Sequence, residues 1–146
     1  MRIFAERRAV CARHGLEGLV PLDERATTAA LIYRSNVRLL AGADAVLANV
    51  SPFRGPHADP GTAWEMGHAV ALGTPVFAYS DAPQALRQRV AGGAIADADG
   101  MMVEDFDLAE NLMLVLGLAD QTVHSTFDEA VAVAARWLSE ARERRS

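Results

Sequence analysis

Ala45-Val46-Leu47-Ala48-Asn49-Val50 is a near-continuous apolar run, bounded by Asp44 on one side and Ser51-Pro52 on the other. A half-exposed strand alternates polar and apolar residues, whereas a run this uniform is how a parallel strand covered on both faces reads. Pro75-Val76-Phe77-Ala78-Tyr79 has the same character. Between the two, the turn formers Ser51 to Ala58 lead into Asp59-Pro60-Gly61-Thr62-Ala63-Trp64-Glu65-Met66-Gly67. A helix is expected from this turn to Leu72, with Gly73 ending it. Strand, helix, strand sets the class: an α/β domain built on a parallel sheet.

Working outward, Ile3 to His14 carries apolar residues among arginines in an amphipathic helical pattern, stopped at His14-Gly15. Gly18-Leu19-Val20-Pro21-Leu22 reads as a short strand. Thr27-Thr28 can cap a second helix to about Ala41, with Leu31, Ile32, Leu39 and Leu40 on its buried side. Beyond Tyr79, a helix is expected over Ala82 to Val90 with Pro83 in its first turn. Gly92 to Gly100 reads as a mobile surface loop, and Met101-Met102-Val103 as a segment pairing with the sheet. Glu110 to Leu116 is a short helix, and Thr126-Phe127-Asp128-Glu129 is a capping box opening a last helix to about Arg142. No repeat or linker interrupts residues 1–146, which read as one domain.

Composition narrows the function. Of the 146 residues 51% are hydrophobic and 23% charged, enough for a core and far from a disordered chain. A net charge of -5 argues against a nucleic-acid surface, and the basic tail Arg142-Glu143-Arg144-Arg145 is too short to reverse it. Glu65 and His68 interrupt the best apolar run, so none reaches the roughly 18 residues of a membrane span. The first residues lack the apolar region of a secretory signal, and a cytoplasmic address is expected. Cys11 is the single cysteine, which excludes an internal disulfide and reads as a small buried residue. No G-x-G-x-x-G and no phosphate-loop lysine motif is present, His57 and His68 lack metal-ligand spacing, and Ser51 lacks a visible base.

In open parallel sheets, ligands bind beyond the carboxyl ends of the strands, where the Ser51 to Asp59 loop lies. Glu65 falls within about the first two turns of the helix that follows, where the positive end of the helix dipole favours an ionised carboxylate. Such a carboxylate can attack an electron-poor carbon, an anomeric carbon above all. Asp59 could reach the same ligand from the loop, and Gly61 lets backbone and ligand come close. Spacing alone leaves a plainer alternative open. Thr62 and Glu65 fit a capping box, and Asp59-Pro60 fits an N-cap followed by proline at the first helical position. Phe53 and Tyr79 could stack on a base or simply pack, and Arg54 could meet a phosphate or remain a solvated loop residue.

Three quoted stretches, Ala43 to Pro56, Asp59 to Ala69 and Ala71 to Val76, resemble the nucleoside 2-deoxyribosyltransferase family, whose signature is an apolar strand, a loop, D-x-G-T-x-x-E-x-G-x-A and a small-residue turn. The resemblance extends through His14 to Asp23, Glu104-Asp105-Phe106 and Asn111-Leu112-Met113, most of the chain. It implies a flavodoxin-like or Rossmann-like sheet sandwiched by helices. It implies that Glu65 is the nucleophile that takes deoxyribose from a 2′-deoxynucleoside and releases a free nucleobase, as in nucleotide salvage. Asp59 would hold sugar hydroxyls or manage the base's proton. Asn111 and Met113 match an element that completes a neighbouring subunit's site, where the asparagine orients the glutamate, so a homo-oligomer is implied. Asn36 falls where some members carry an aspartate that contacts the base. No metal or organic cofactor is implied. A nucleoside or nucleotide N-glycosidase and a non-catalytic nucleotide-binding module are the alternatives.

The family pattern opens with a strand and a glycine-proline loop ahead of the helix that starts here at Ile3. The expectation is that the first strand is lacking, either because the reading begins at an internal methionine or because the element has been lost.

Overall fold

A computed structural model of the chain describes residues 2–20 and 28–144. The two apolar runs are neighbouring parallel strands: β1 (Val46–Asn49) pairs with β2 (Val76–Tyr79), Val46 opposite Val76 and Asn49 opposite Tyr79. A third parallel strand, β3 (Val123–His124), pairs with Ala78 and Tyr79 on the other side of β2, so the order among the described residues is β1-β2-β3.

The sheet lies between two helical layers. Alternate side chains of a strand point to opposite faces. Val76 and Ala78 join Ala48, Met66 and Ala69 in a core beneath α3 (Pro60–Ala71). Phe77 and Tyr79 face the other way, edge-on to Trp137 and Phe127 of α6 (Phe127–Glu143), with ring centroids 6.0 and 5.4 Å apart. Fully covered side chains such as Val76, Phe77 and Val131 each contribute roughly 1.5–3 kcal/mol through burial. Helix α1 (Arg2–Arg13) packs on α6, and α2 (Ala29–Ala41) packs on α3. This is the flavodoxin-like arrangement.

Capping explains where the helices start. Thr28 Oγ1 accepts from Leu31 N at α2, and Thr126 Oγ1 accepts from Glu129 N at α6. Glu129 reaches back to Ser125 N at 3.1 Å, so the expected capping box is made with its return bond one residue early. Gly73, at φ 76°, takes the left-handed conformation that lets the chain leave α3. Arg13 donates to Asp128 at 2.8 Å and His14 lies 3.4 Å from the same oxygen, tying the end of α1 to the start of α6. Hydrogen bonds from His14 and then Arg13 hold the Asp128 carboxyl below its usual range. That tie is therefore present above the ordinary carboxylate range and is lost as pH falls through the lowered value. Burial raises the Cys11 thiol above its usual range; the side chain is packed away in α1, with Gly18 so close that a Cβ there would meet its Sγ at 3.3 Å.

Several expectations need correction. Leu16 to Val20 stays outside the sheet, and Pro21-Leu22 and Thr27 lie outside the described residues. Leu31 and Ile32 are 43% and 48% exposed, because α2 packs chiefly on α3. The helix expected from Ala82 is α4 (Leu86–Ala91), since Arg89 Nη1 takes the carbonyls of Ala82 and Gln84 and holds them in an extended approach. Pro83 thus precedes the helix. Met101 to Val103 does not join the sheet; it folds back on Ile95 to Asp97 with an antiparallel Ala96–Met102 bridge. Of Gly92 to Gly100, Gly92 to Ala94 close α4 by bonds to Gln88, Arg87 and Ala91, and Ile95 to Gly100 belong to that hairpin, pinned by Asp97 Oδ1 accepting from Asp99 N and Met101 N. The short helix is α5 (Leu112–Val115), opened by Asn111 as N-cap.

Candidate active site

The loop leaving β1 carries the site. Its first turn is held by Asn49, whose Oδ1 accepts from Ser51 N and Ser51 Oγ at 3.1 and 2.6 Å. Its tip is exposed: Phe53 is 47% accessible, with Arg54 stacked over its ring at 5.1 Å. The loop closes where Phe53 N donates to His57 O at 2.8 Å, and Asp59 then opens α3.

Asp59 is the N-cap. Its Oδ2 accepts from Thr62 N at 3.1 Å, and Pro60 takes the first helical position. Gly61 has a reason within the chain, because a Cβ there would sit 2.8 Å from the capping Oδ2. Asp59→Ala is expected to cost about 1 kcal/mol of stability. Denaturant unfolding measures it, and a loss below a few tenths would contradict the cap.

Thr62 and Glu65 do not form a capping box, because Asp59 has already started the helix. The Glu65 carboxylate is turned instead to α2, where Asn36 Nδ2 donates to its Oε1 at 3.2 Å. Glu65 is thus a half-buried carboxylate in the second turn of α3, near the positive end of the helix, and not consumed by a cap. The same α2–α3 seam carries an aromatic ladder: Tyr33 lies 5.6 Å from Trp64, and Trp64 stacks on His68 at 5.0 Å. Tyr33 and Trp64 are 57% and 46% exposed.

Asn36 therefore meets Glu65 in its own chain. Asn111 does something else there: its Oδ1 accepts from Met113 N at 3.0 Å and its Nδ2 donates to Glu104 at 2.5 Å. Glu104 also accepts from Leu112 N, so the start of α5 is fixed by two carboxamide bonds and one carboxylate. Met113 is 75% exposed and points outward. Tyr79 is packed against Phe127 with Arg7 4.8 Å over its ring, and burial raises its hydroxyl above the usual range. That accounts for Tyr79 as packing.

One participant has no signal in the sequence. Glu110 is 1% exposed and lies under the loop, accepting from His57 Nδ1, Ala58 N, Arg89 Nη2 and Asn111 N at 3.0–3.1 Å. A glutamate at the start of a short helix reads as solvated, and its donors come from positions that no helical or strand period connects.

A cavity of about 560 Å³ lies elsewhere, lined by Asp44, Thr74, Pro75, Val76, Trp137 and Leu138 among others. Asp44 and Thr74-Pro75 precede β1 and β2, so the cavity sits at the amino ends of the strands, away from the loop and α3 start.

Fold and site together define an α/β domain with helices on both faces of a parallel sheet and an available carboxylate on the helix after β1. Comparison with known proteins agrees. Residues 2–113 match the family model described as nucleoside 2-deoxyribosyltransferase. A solved 2-desoxiribosyltransferase from Leishmania mexicana is 34% identical, with a TM-score of 0.81 over 92% of this chain and 86% of that one. The 2-deoxyribosyltransferase of Bacillus psychrosaccharolyticus, at 16% identity and a TM-score of 0.50, covers 86% of this chain and 88% of its own and shares the fold. An uncharacterized protein of Schizosaccharomyces pombe is 26% identical, covering 77% of this chain and 67% of that protein. The chain belongs to the nucleoside 2-deoxyribosyltransferase family.

Proposed function

We propose that the chain transfers 2-deoxyribose between nucleobases, with Glu65 as nucleophile. A carboxylate oxygen of Glu65 attacks C1′ of a 2′-deoxynucleoside, the C1′–N bond breaks, and the base leaves with the bonding pair and gains a proton. The deoxyribosyl ester then reacts with a nitrogen of a second base, which loses its proton as the Glu65 carboxylate is freed. Two displacements retain the anomeric configuration. One observation carries this reading: Glu65 is presented early in α3 by the Asn36 amide and is not spent on capping.

In this reading Asn36 orients the nucleophile from within the chain, and Asp59 manages a sugar hydroxyl or the base's proton beside its capping role. Phe53 at the loop tip stacks on the base, and Gly61 keeps the approach open. The Asn111 amide nitrogen carries a second hydrogen beyond the one given to Glu104, which suits it to a neighbouring subunit's glutamate, with Met113 beside it. A homo-oligomer covering the exposed Leu31, Ile32 and Tyr33 follows from the same reading. Among the described residues no helix is long and apolar enough to cross a membrane; a cytoplasmic address belongs to the proposal.

Incubation with deoxyinosine and adenine, followed by chromatography, tests it. The expected product is a second nucleoside, deoxyadenosine. Free sugar without exchange would make the chain an N-glycosidase, and binding without either product would make it a nucleotide-binding module.

A further inference from the structure

A carboxylate with 1% exposure needs compensation for the water it has lost. Glu110 has it in full. Its Oε1 accepts from His57 Nδ1 and Asn111 N, and its Oε2 accepts from Ala58 N and Arg89 Nη2. A carboxylate has about four lone-pair positions, and all are used. Arg89, with a side chain 9% exposed, gives three further hydrogens to main-chain carbonyls: Nε to Pro56, and Nη1 to Ala82 and Gln84. One ion pair therefore ties together the loop after β1, the approach to α4 and the segment before α5. Leu86 N donating to Leu108 O at 2.7 Å reinforces the same junction.

The two main-chain donors are the telling ones. Ala58 immediately precedes Asp59, the cap of α3 and the start of the helix that carries Glu65. Asn111 is itself the cap of α5. We infer that Glu110, backed by Arg89, is a positioning residue that sets the start of the Glu65 helix and the Asn111 element in one fixed relation. It touches no substrate and acts through these two segments. Misplacement of reacting groups by about 1 Å can cost on the order of a hundredfold in rate, so a clamp of this kind governs turnover from beneath the site. Glutamine cannot replace it, because a carboxamide would aim two hydrogens at a ring of donors.

The inference rests on the proposed function for its rate readout, and hydrogen exchange of the free protein tests it separately. In Glu110→Gln, the amides of residues 52–59 and 108–113 are expected to exchange about tenfold faster or more, together, while those of β2 keep wild-type protection. The kcat for base exchange is expected to fall about ten- to a hundredfold, with KM within about threefold. Arg89→Lys, which keeps the charge but loses the fork, is expected to loosen the same two segments to a smaller degree, and it carries the test if Glu110→Gln does not fold. Loosening of one segment alone, equal loosening of β2, or an unchanged kcat in an enzyme that turns over would each overturn the inference. Should the wild-type protein yield neither new nucleoside nor free base, the functional reading fails, and the exchange comparison by itself decides whether Glu110 couples the two segments.

Discussion

Replacing Glu65 with alanine is expected to end base exchange and free-sugar release together, lowering kcat by roughly three orders of magnitude or more. The fold should survive. The cap of α3 belongs to Asp59, and Glu65 is half-buried in the second turn, so alanine there leaves the start of the helix intact. Losing the bond from Asn36 costs on the order of 1 kcal/mol, partly offset by the better helix propensity of alanine. Glu65→Gln sharpens the point, since it keeps the shape and an acceptor for Asn36 but has no anionic oxygen to attack C1′. Both variants should melt within a few degrees of the wild type. A variant that loses stability by a full cap while retaining turnover would return Glu65 to a structural role.

Asn36→Asp should have the second large effect, and its sign can be worked out. The Asn36 amide gives a hydrogen to Glu65 at 3.2 Å. An aspartate in its place sets two carboxylates face to face, a repulsion on the order of 5 kcal/mol at an effective dielectric near 20. The folded protein relieves it by holding a shared proton, which the unfolded chain has already released above about pH 4 to 5. The native state then binds more protons than the unfolded state, so stability of the variant falls as pH rises between about 5 and 8. The acid limb of kcat/KM moves to higher pH, because attack needs an ionised Glu65. Asn36→Ala lacks the second carboxylate and should lose about ten- to a hundredfold in kcat with no displacement of the profile. Rate profiles and thermal melts of the two variants across that range settle the matter. An aspartate variant with the wild-type profile would mean that Asn36 does not face the nucleophile during turnover.

What the sequence disclosed was whatever is local. Ala45 to Val50 and Pro75 to Tyr79 read as parallel strands covered on both faces, which β2 is throughout and β1 only in part, with Asn49 exposed. Asp59-Pro60 and Thr126 to Glu129 announced their helices by capping chemistry that acts over three or four residues. Val123-His124 is too short to show a period and becomes a strand because Ala78 and Tyr79 lie beside it. Pro83 looked like a helix start, but Arg89 reaches back to the carbonyls of Ala82 and Gln84 and keeps that segment extended. Leu31 and Ile32 had the spacing of a buried face, yet the layer they would need to meet is already occupied by α3. The site divides the same way. Glu65 and Asp59 stood out through their place after a buried strand. The Asn36–Glu65 bond spans 29 positions and two helices, and Glu110 gathers donors from the His57-Ala58 loop, Arg89 and Asn111, so neither leaves a periodic trace.

The most direct measurement is the mass of the intact protein after a rapid acid quench during turnover of deoxyinosine. The account predicts a fraction of protein heavier by one deoxyribosyl group, with the added mass on the peptide containing Glu65 and absent from Glu65→Gln. Turnover with no adduct at any quench time, or an adduct that persists in Glu65→Gln, would contradict it.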